Sequence, residues 1–437
     1  MKIAVAGTGY VGLVTGVVLA EIGHHVICVD VDKKKIETLK NGKSPIYEDG
    51  LEELMLKNKL RLQYTTDDKK AYQDADVIFI GVGTPEREDG SANLDYVYSV
   101  CDQIASSIQK DCVVVIKSTV PIGTNDEIES YLTKNIISNV HVYVVSNPEF
   151  LSQGTAIHDT LYASRIVVGT EEQKAKEIME ELYKPLTQSP YYVPYLSMNR
   201  RSAEMVKYAS NDFLALKISY INEISQLCEK IGADIEEVKK GLKTDSRIGD
   251  KFLEAGLGFG GSCFPKDVSA IIEIAKNNDV DLKIIKQIKE VNEQQKNRFI
   301  ERIIKYYNND IKDKTFALWG LTFKPDTNDM REAPSIAIIN KLTQLGAKIQ
   351  AYDPKGFELA KAIFKDKIEY SESKYDALKG ADALILATEW SEFKNPDFDF
   401  ISKSISDKII FDGRNQYEFD LLSKFNLKYI CIGRNEQ

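Results

Sequence analysis

A glycine pattern close to the N-terminus constrains this chain more than any other feature. Lys2-Ile3-Ala4-Val5-Ala6 is a short apolar run of strand length, and Gly7-Thr8-Gly9-Tyr10-Val11-Gly12 follows it directly. An apolar helical stretch then runs to Ile22, and a further apolar run, Val26 to Val29, ends on Asp30. Strand, G-x-G-x-x-G, helix, strand and acid, in that order, predict a βαβ unit that cradles a dinucleotide. Gly7 permits the tight turn, Gly9 lets backbone approach a pyrophosphate, and Gly12 lets helix and strand pack closely. The helix start offers free N–H groups and the positive end of its dipole to phosphates. Asp30 suits a ribose diol and would repel a 2′-phosphate, which favours NAD over NADP. Lys33 and Lys34 read as a solvated helix start.

The apolar runs continue at 77–81, 112–117, 142–145 and 165–168, separated by helical or loop sequence, which predicts a parallel, doubly wound sheet. A long helical pattern with few breakers spans Met198 to Gln226, and a second helical cluster covers about 268–308. Strand-like runs then resume at Thr315–Trp319, Lys348–Tyr352, Ala383–Ala387 and Lys408–Phe411, without a second glycine fingerprint. The expected fold is α/β, with two doubly wound Rossmann-like domains joined by a helical central region, bounded at 1–196, 197–310 and 311–437. A chain of 437 residues exceeds one ordinary core, which agrees with two or three domains.

Fifty-seven Lys and Arg against 66 Asp and Glu leave a net charge of −9. That balance disfavours nucleic acid or an anionic membrane as a partner. No basic start precedes an apolar leader, and the apolar runs are too short to span a bilayer, so a cytoplasmic protein is expected. The six cysteines form no C-x-x-C, and the four histidines no H-E-x-x-H, so neither a disulfide framework nor a metal site is expected.

Several loops carry groups suited to chemistry. Gly81-Val82-Gly83-Thr84-Pro85, Lys117-Ser118-Thr119-Val120-Pro121 and Asn147-Pro148-Glu149-Phe150-Leu151 each follow a strand, at the sheet edge where open α/β folds bind ligands. Glu149 is placed there for acid–base work. Glu204, Lys207, Tyr208 and Asn211 share one helix face, and Lys207 and Asn211, four apart, project together. Such a pair can bind a hydroxyl and stabilise an alkoxide, although a solvated face has the same spacing. Gly256-Leu257-Gly258-Phe259-Gly260-Gly261 precedes Ser262-Cys263-Phe264-Pro265-Lys266-Asp267. The glycines suggest backbone lying against a ligand. If Pro265 starts a helix, Asp267 can face the Cys263 thiol, and Lys266 or Lys207 can supply the positive surroundings a thiolate needs. A cysteine beside a nicotinamide can hold an aldehyde covalently, which would take an alcohol to an acid. Further on, Phe323-Lys324-Pro325-Asp326-Thr327, Arg331-Glu332-Ala333-Pro334-Ser335 and Asp412-Gly413-Arg414 each offer a cation to a phosphate.

Taken together and in this order, these motifs resemble the UDP-glucose/GDP-mannose dehydrogenase family over nearly the whole chain. The runs are GTGYVG, VGTP, STVP, NPEFL, AEMVKYASN, SRIGDKFLEAGLGFGGSCFPKD, FKPDTNDMREAPS and FDGR. Members acting on UDP-N-acetyl sugars read G-G-H-C at the cysteine, whereas G-G-S-C-F-P-K-D is the form of UDP-glucose enzymes, and GDP-mannose enzymes share the Ser-Cys. The resemblance implies NAD-dependent, four-electron oxidation of UDP-glucose to UDP-glucuronate, with GDP-mannose as the competing substrate. It implies Cys263 as nucleophile. Lys207, Asn211 and Asp267 would stabilise charge and position water, with Glu149 and Thr119 moving protons. Gly7, Gly9, Val11, Gly12, Asp30, Lys35, Thr84, Thr119, Lys266 and Arg331 would contact NAD. Glu149, Phe150, Leu151, Lys207, Asn211, Phe252, Leu253, Glu254, Ala255, Gly256, Phe259, Gly260, Phe264, Lys324 and Arg414 would line the sugar-nucleotide site. Arg247 would reach over from a partner subunit, implying a homodimer through the central helices. The domains at 1–196, 197–310 and 311–437 would bind NAD, dimerise and bind the sugar nucleotide. One departure is Gln153, where the family often has Glu, which keeps the shape and loses the charge. A two-electron hydroxyacid dehydrogenase, with no need of Cys263, and a non-catalytic NAD-binding protein are the alternatives from other classes.

Overall fold

The computed structural model describes residues 1–435, which divide into two compact units: 1–210 with 269–279, and 211–268 with 280–435. The first unit carries eight strands: β1 (Lys2–Ala6), β2 (His25–Val29), β3 (Leu62–Thr65), β4 (Val77–Ile80), β5 (Cys112–Ile116), β6 (Val142–Ser146), β7 (Ile166–Gly169) and β8 (Tyr195–Met198). Their spatial order is β3-β2-β1-β4-β5-β6-β7-β8. β1, β4 and β5 are rich in β-branched residues and buried on both faces, as a sheet covered by helices on each side requires. Neighbours are parallel except β6 and β7, which meet antiparallel at Ser146 and Gly169. This corrects the expectation of a wholly parallel sheet: the short Ala156–Leu161 helix between the two strands returns the chain in the opposite sense.

The chain order reverses between β1 and β4, so the ligand crevice of the first unit falls at their carboxyl ends. Ladder bonds persist one residue past the strands: Gly81 N–H donates to Ala6 O, Lys117 N–H to Ile80 O and Asn147 N–H to Ile116 O, at 2.9–3.0 Å. The loops beginning at Gly7, Gly81, Lys117 and Asn147 are thereby aligned along one sheet edge.

The second unit repeats the plan with β9 (Thr315–Trp319), β10 (Lys348–Tyr352), β11 (Glu369–Tyr370), β12 (Ala383–Leu386), β13 (Ile409–Asp412) and β14 (Lys428–Ile430). The order is β11-β10-β9-β12-β13-β14, and every pairing is parallel. It lacks the glycine fingerprint but keeps an acid at the end of its second strand. Asp353 Oδ2 accepts from the N–H groups of Leu321 and Thr322 at 2.6 and 3.1 Å, fixing the turn that leaves β9. Long helices span Arg200–Ile231, Phe264–Lys276 and Lys283–Tyr306. None of the described helices is long and apolar enough to cross a membrane.

Candidate active site

In the first unit the glycine turn has the shape a pyrophosphate needs. Gly7 sits at φ 93°, a region that side chains strain to adopt. A Cβ on Gly12 would stand 2.1 Å from the Gly7 carbonyl oxygen, while one on Gly9, which caps the Tyr10–Glu21 helix, would meet nothing. Close packing explains Gly12, and open space above Gly9 leaves backbone N–H groups approachable by phosphate. Asp30 accepts from Thr8 N–H at 2.9 Å and Thr8 Oγ1 at 2.7 Å through Oδ2, and from Asp32 N–H at 3.0 Å through Oδ1. Burial pushes its carboxyl up, but these donors and the nearby Lys35 charge outweigh burial and hold it below its ordinary value. Asp30 is therefore an anion held in place, with lone pairs left for a diol. Val11 lies in the first turn of the helix, and Lys35 lies in the Lys33–Lys40 helix. Thr84 Oγ1 donates to the Thr119 carbonyl oxygen at 2.9 Å, tying together two loops expected around the cofactor. This donor set and glycine cradle fit a dinucleotide.

Glu149 and Lys207 form a buried ion pair. Lys207 Nζ, on the Arg200–Ile231 helix, donates to Glu149 Oε1 and to the Glu149 carbonyl oxygen, each at 2.8 Å. Glu149 Oε2 accepts from Leu151 N–H at 2.8 Å, so the carboxylate is oriented at both oxygens. Phe150 is stacked beneath the Arg165 guanidinium, 4.0 Å from its ring centre. Glu204, on the same helix face, has a structural role instead. It accepts from the N–H groups of Gly123 and Asn125 and from Asn125 Nδ2, capping the Thr124–Asn135 helix.

In the second unit Cys263 directly precedes the Phe264–Lys276 helix, which begins one residue ahead of the expected start at Pro265. The Cys263 carbonyl accepts from Asp267 N–H at 2.9 Å. The thiol thus stands at a helix N-terminus, where free N–H groups and the dipole favour negative charge. Among the described cysteines it alone is exposed. Cys28, Cys101 and Cys112 are buried, which pushes their thiols up to about 12. Asp267 is buried, with Oδ2 accepting from Asn211 Nδ2 and Oδ1 from Lys266 Nζ, both at 2.6 Å.

The glycine-rich stretch before Cys263 is pinned by residues the sequence did not single out. Asn222 Oδ1 accepts from Gly256 N–H at 2.8 Å, and Gln295 Nε2 donates to the Gly256 carbonyl at 2.8 Å. Asn292 takes Phe259 N–H at 2.8 Å and returns a bond to its carbonyl at 3.0 Å. A Cβ on Gly260 would lie 2.2 Å from the Glu332 carbonyl oxygen, so that backbone approach admits only glycine. Phe264 makes edge contacts with Phe252 and Phe259. Phe252 holds φ 63°, an outlier for a bulky residue that marks a strained segment. Leu253 and Ala255 are buried, and Glu254 pairs with Lys239 and Lys243. Lys324 stands over the Phe323 ring. Arg414 Nε donates to the Ala387 carbonyl at 2.8 Å, and a Cβ on Gly256 would approach Arg414 within 3.5 Å. Arg331 is held bidentate by Asp329, a partner the sequence did not reveal. Arg247 is surface-exposed and pairs with Asp245.

A Rossmann unit with an NAD-type acid and a second α/β unit carrying a cysteine at a helix start define a dinucleotide-dependent dehydrogenase. Three family models match in sequence: the UDP-glucose/GDP-mannose dehydrogenase NAD binding domain over residues 1–187, the central domain over 201–294, and the UDP binding domain over 317–419. A UDP-glucose 6-dehydrogenase of Bacillus subtilis (strain 168) is 47% identical over 436 residues, covering 99% of this chain and 98% of the relative. A UDP-glucose 6-dehydrogenase of Rhizobium meliloti (strain 1021) is 44% identical, covering 99% of this chain and 100% of the relative. A solved UDP-glucose dehydrogenase from Pyrobaculum islandicum superposes with a TM-score of 0.89 at 35% identity, covering 98% of this chain and 96% of that one. The chain belongs to the UDP-glucose/GDP-mannose dehydrogenase family. It is an oxidoreductase that uses NAD and acts on a UDP-sugar.

Proposed function

We propose that the chain oxidises UDP-glucose to UDP-glucuronate, taking four electrons per sugar through a covalent intermediate on Cys263. The observation that carries this reading is the exposed thiol at the start of the Phe264–Lys276 helix, one turn before an Asp267 bonded to Asn211. A two-electron dehydrogenase has no use for that thiol. The Bacillus and Rhizobium relatives act on the same sugar nucleotide by name.

NAD, when bound, accepts the hydride of each oxidation, two per sugar. The chain does the rest. Glu149 receives the hydroxyl proton of the C6 alcohol, and Lys207 stabilises the oxygen as charge develops on it. Cys263 Sγ attacks the aldehyde carbon, forming a thiohemiacetal that the second oxidation converts to a thioester. Asp267 and Asn211 position the hydrolytic water, whose attack releases the acid and the thiol, and Thr119 assists proton movement. The backbone from Phe252 to Gly256, with Phe150, Leu151, Phe259, Gly260 and Phe264, lines the sugar-nucleotide site, while Lys324 and Arg414 take the diphosphate. Lys266 and Arg331 join the cofactor-binding set of the first unit. The segments 1–196, 197–310 and 311–437 act as the NAD-binding, dimerising and sugar-nucleotide domains. The working form is a cytoplasmic homodimer through the central helices, with no nucleic-acid partner.

The test counts NADH formed per UDP-glucose consumed, for wild type and Cys263→Ala. Two per sugar in the wild type, with acid production lost in the variant, is the expected result. One per sugar, or a variant that still releases acid, overturns the reading.

A further inference from the structure

The first unit contains a cavity that shares Phe150 and Leu151 with the proposed sugar-nucleotide site and extends to residues with no role in that chemistry. Its volume of about 50 Å³ is room for roughly three waters. Glu149 lines it, and so does Lys117, which follows β5. Lys117 Nζ donates to Asn147 Oδ1 at 3.1 Å, its one hydrogen bond among the described residues. The rest of that amide is fixed: Oδ1 also accepts from Tyr183 O–H at 2.6 Å, and Nδ2 donates to the Val167 carbonyl at 2.7 Å. A lysine held this way, with donors left over, in the wall of a cavity that Glu149 also lines, serves no packing purpose an apolar side chain would not serve better.

We propose that Lys117 is the proton acceptor behind Glu149, reached through water in this cavity. The inference rests on the acid–base role proposed for Glu149. In each turn the Glu149 carboxylate takes the hydroxyl proton of the alcohol as the alcohol is oxidised. Glu149 passes the proton through water to the neutral Lys117 amine, which becomes an ammonium and restores the carboxylate. The hydroxyl proton of the thiohemiacetal, lost in the second oxidation, and the proton released when water cleaves the thioester leave by the same route. Between steps the ammonium returns its proton to solvent through the same cavity.

The electrostatics suit this role. Burial lowers Lys117 to about 8, with Glu149 pulling it up and Lys207 pushing it down. Of the other charged or titratable groups lining the cavity, Arg165 precedes β7, Asp159 lies on the Ala156–Leu161 helix and Tyr183 on the Gln173–Thr187 helix. The Tyr10–Glu21 helix contributes none, only Thr15, Val18 and Leu19. An acceptor near the working pH is the efficient choice for proton transfer.

The experiment measures the single-turnover rate of NADH formation from pH 6 to 10 for wild type, Lys117→Met and Lys117→Ala. A wild-type rate that rises through about pH 8 is expected. The rise should be absent in Lys117→Met, with a loss on the order of 10²-fold at pH 9. Ethylamine or propylamine should restore rate to Lys117→Ala and leave Lys117→Met unchanged. A second readout needs no turnover. Because the folded value lies below the ordinary 10.5, Lys117→Met should be the more stable chain in thermal unfolding below pH 8, with the gap closing as pH rises towards 10.5. An unchanged pH profile in a folded Lys117→Met, or no amine rescue, overturns the relay while leaving the four-electron reading intact. A wild type that forms no acid overturns the four-electron reading itself and the relay with it.

Discussion

Asp212 shows how one buried carboxyl couples to the reactive end of the second unit. It follows Asn211 on the long helix, is 3% exposed, and its Oδ1 has no hydrogen-bond partner among the described residues. Burial, and after it the charge of Asp267, pushes Asp212 up to about 8, so it carries a proton at neutral pH. A carboxyl raised above its unfolded value contributes stability below about pH 4 and loses it as pH climbs towards 8. Asp212→Asn keeps the shape of the protonated form and removes this titration. The variant should match wild type near pH 4. At pH 8 it should exceed wild type by at least about 1.4 kcal/mol, the worth of one pKa unit. Urea unfolding at the two pH values measures this, and a gap that is the same at both would show that Asp212 does not titrate in this range.

Elements were legible in the sequence to the degree that their burial was two-sided. β1, β4, β5, β12 and β13 read directly as apolar runs because helices cover both faces of the sheet. The four strands without a clear sequence signal, β3, β8, β11 and β14, are the edge strands of the two sheets. Their mixed burial breaks any apolar run, as in Tyr195–Met198, where the two central residues are exposed. The Tyr10–Glu21 helix was marked by its glycines and by the strand before it. The shape of the Gly256–Gly261 stretch was not legible, because what fixes it comes from Asn222, Asn292 and Gln295, 30 or more residues away in sequence. The role of Glu204 was not legible for the same reason, since its capping of a helix start some 80 residues upstream leaves no local mark. Asn292 is the test of that stretch. Asn292→Ala leaves both backbone groups of Phe259 without their partner, which should lower stability by about 1–3 kcal/mol. It should also raise KM for the sugar nucleotide more than it lowers kcat, because the loop loses its bound shape before the thiol loses its chemistry. Denaturant unfolding and steady-state kinetics check this, and a drop confined to kcat would place the loop in the chemistry instead.

For the whole molecule, a net charge of −9 disfavours polyanionic partners, whereas the long central helix offers a surface suited to a second copy of the chain. Phe213, Tyr220 and Leu227 recur every seven residues on the Arg200–Ile231 helix and are 60%, 47% and 55% exposed. An apolar stripe at that spacing is the seam along which two helices pack. Arg247, with an exposed side chain paired with Asp245 two residues away, is the residue proposed to enter the neighbouring subunit's site. If both proposals hold, each working site draws its thiol from one chain and its guanidinium from the other. Cys263→Ala and Arg247→Ala homodimers should then both be inactive or nearly so. In a mixed dimer, one site carries both lesions and the other carries neither. A purified mixed dimer therefore keeps one intact site in two, and about half of the wild-type activity per dimer should return. Co-expression with two different tags, followed by NADH production on the doubly purified fraction, measures it. A doubly tagged dimer with no activity beyond the two parents would show that Arg247 serves its own subunit, and recovery of only singly tagged protein would show that the stripe does not join two copies.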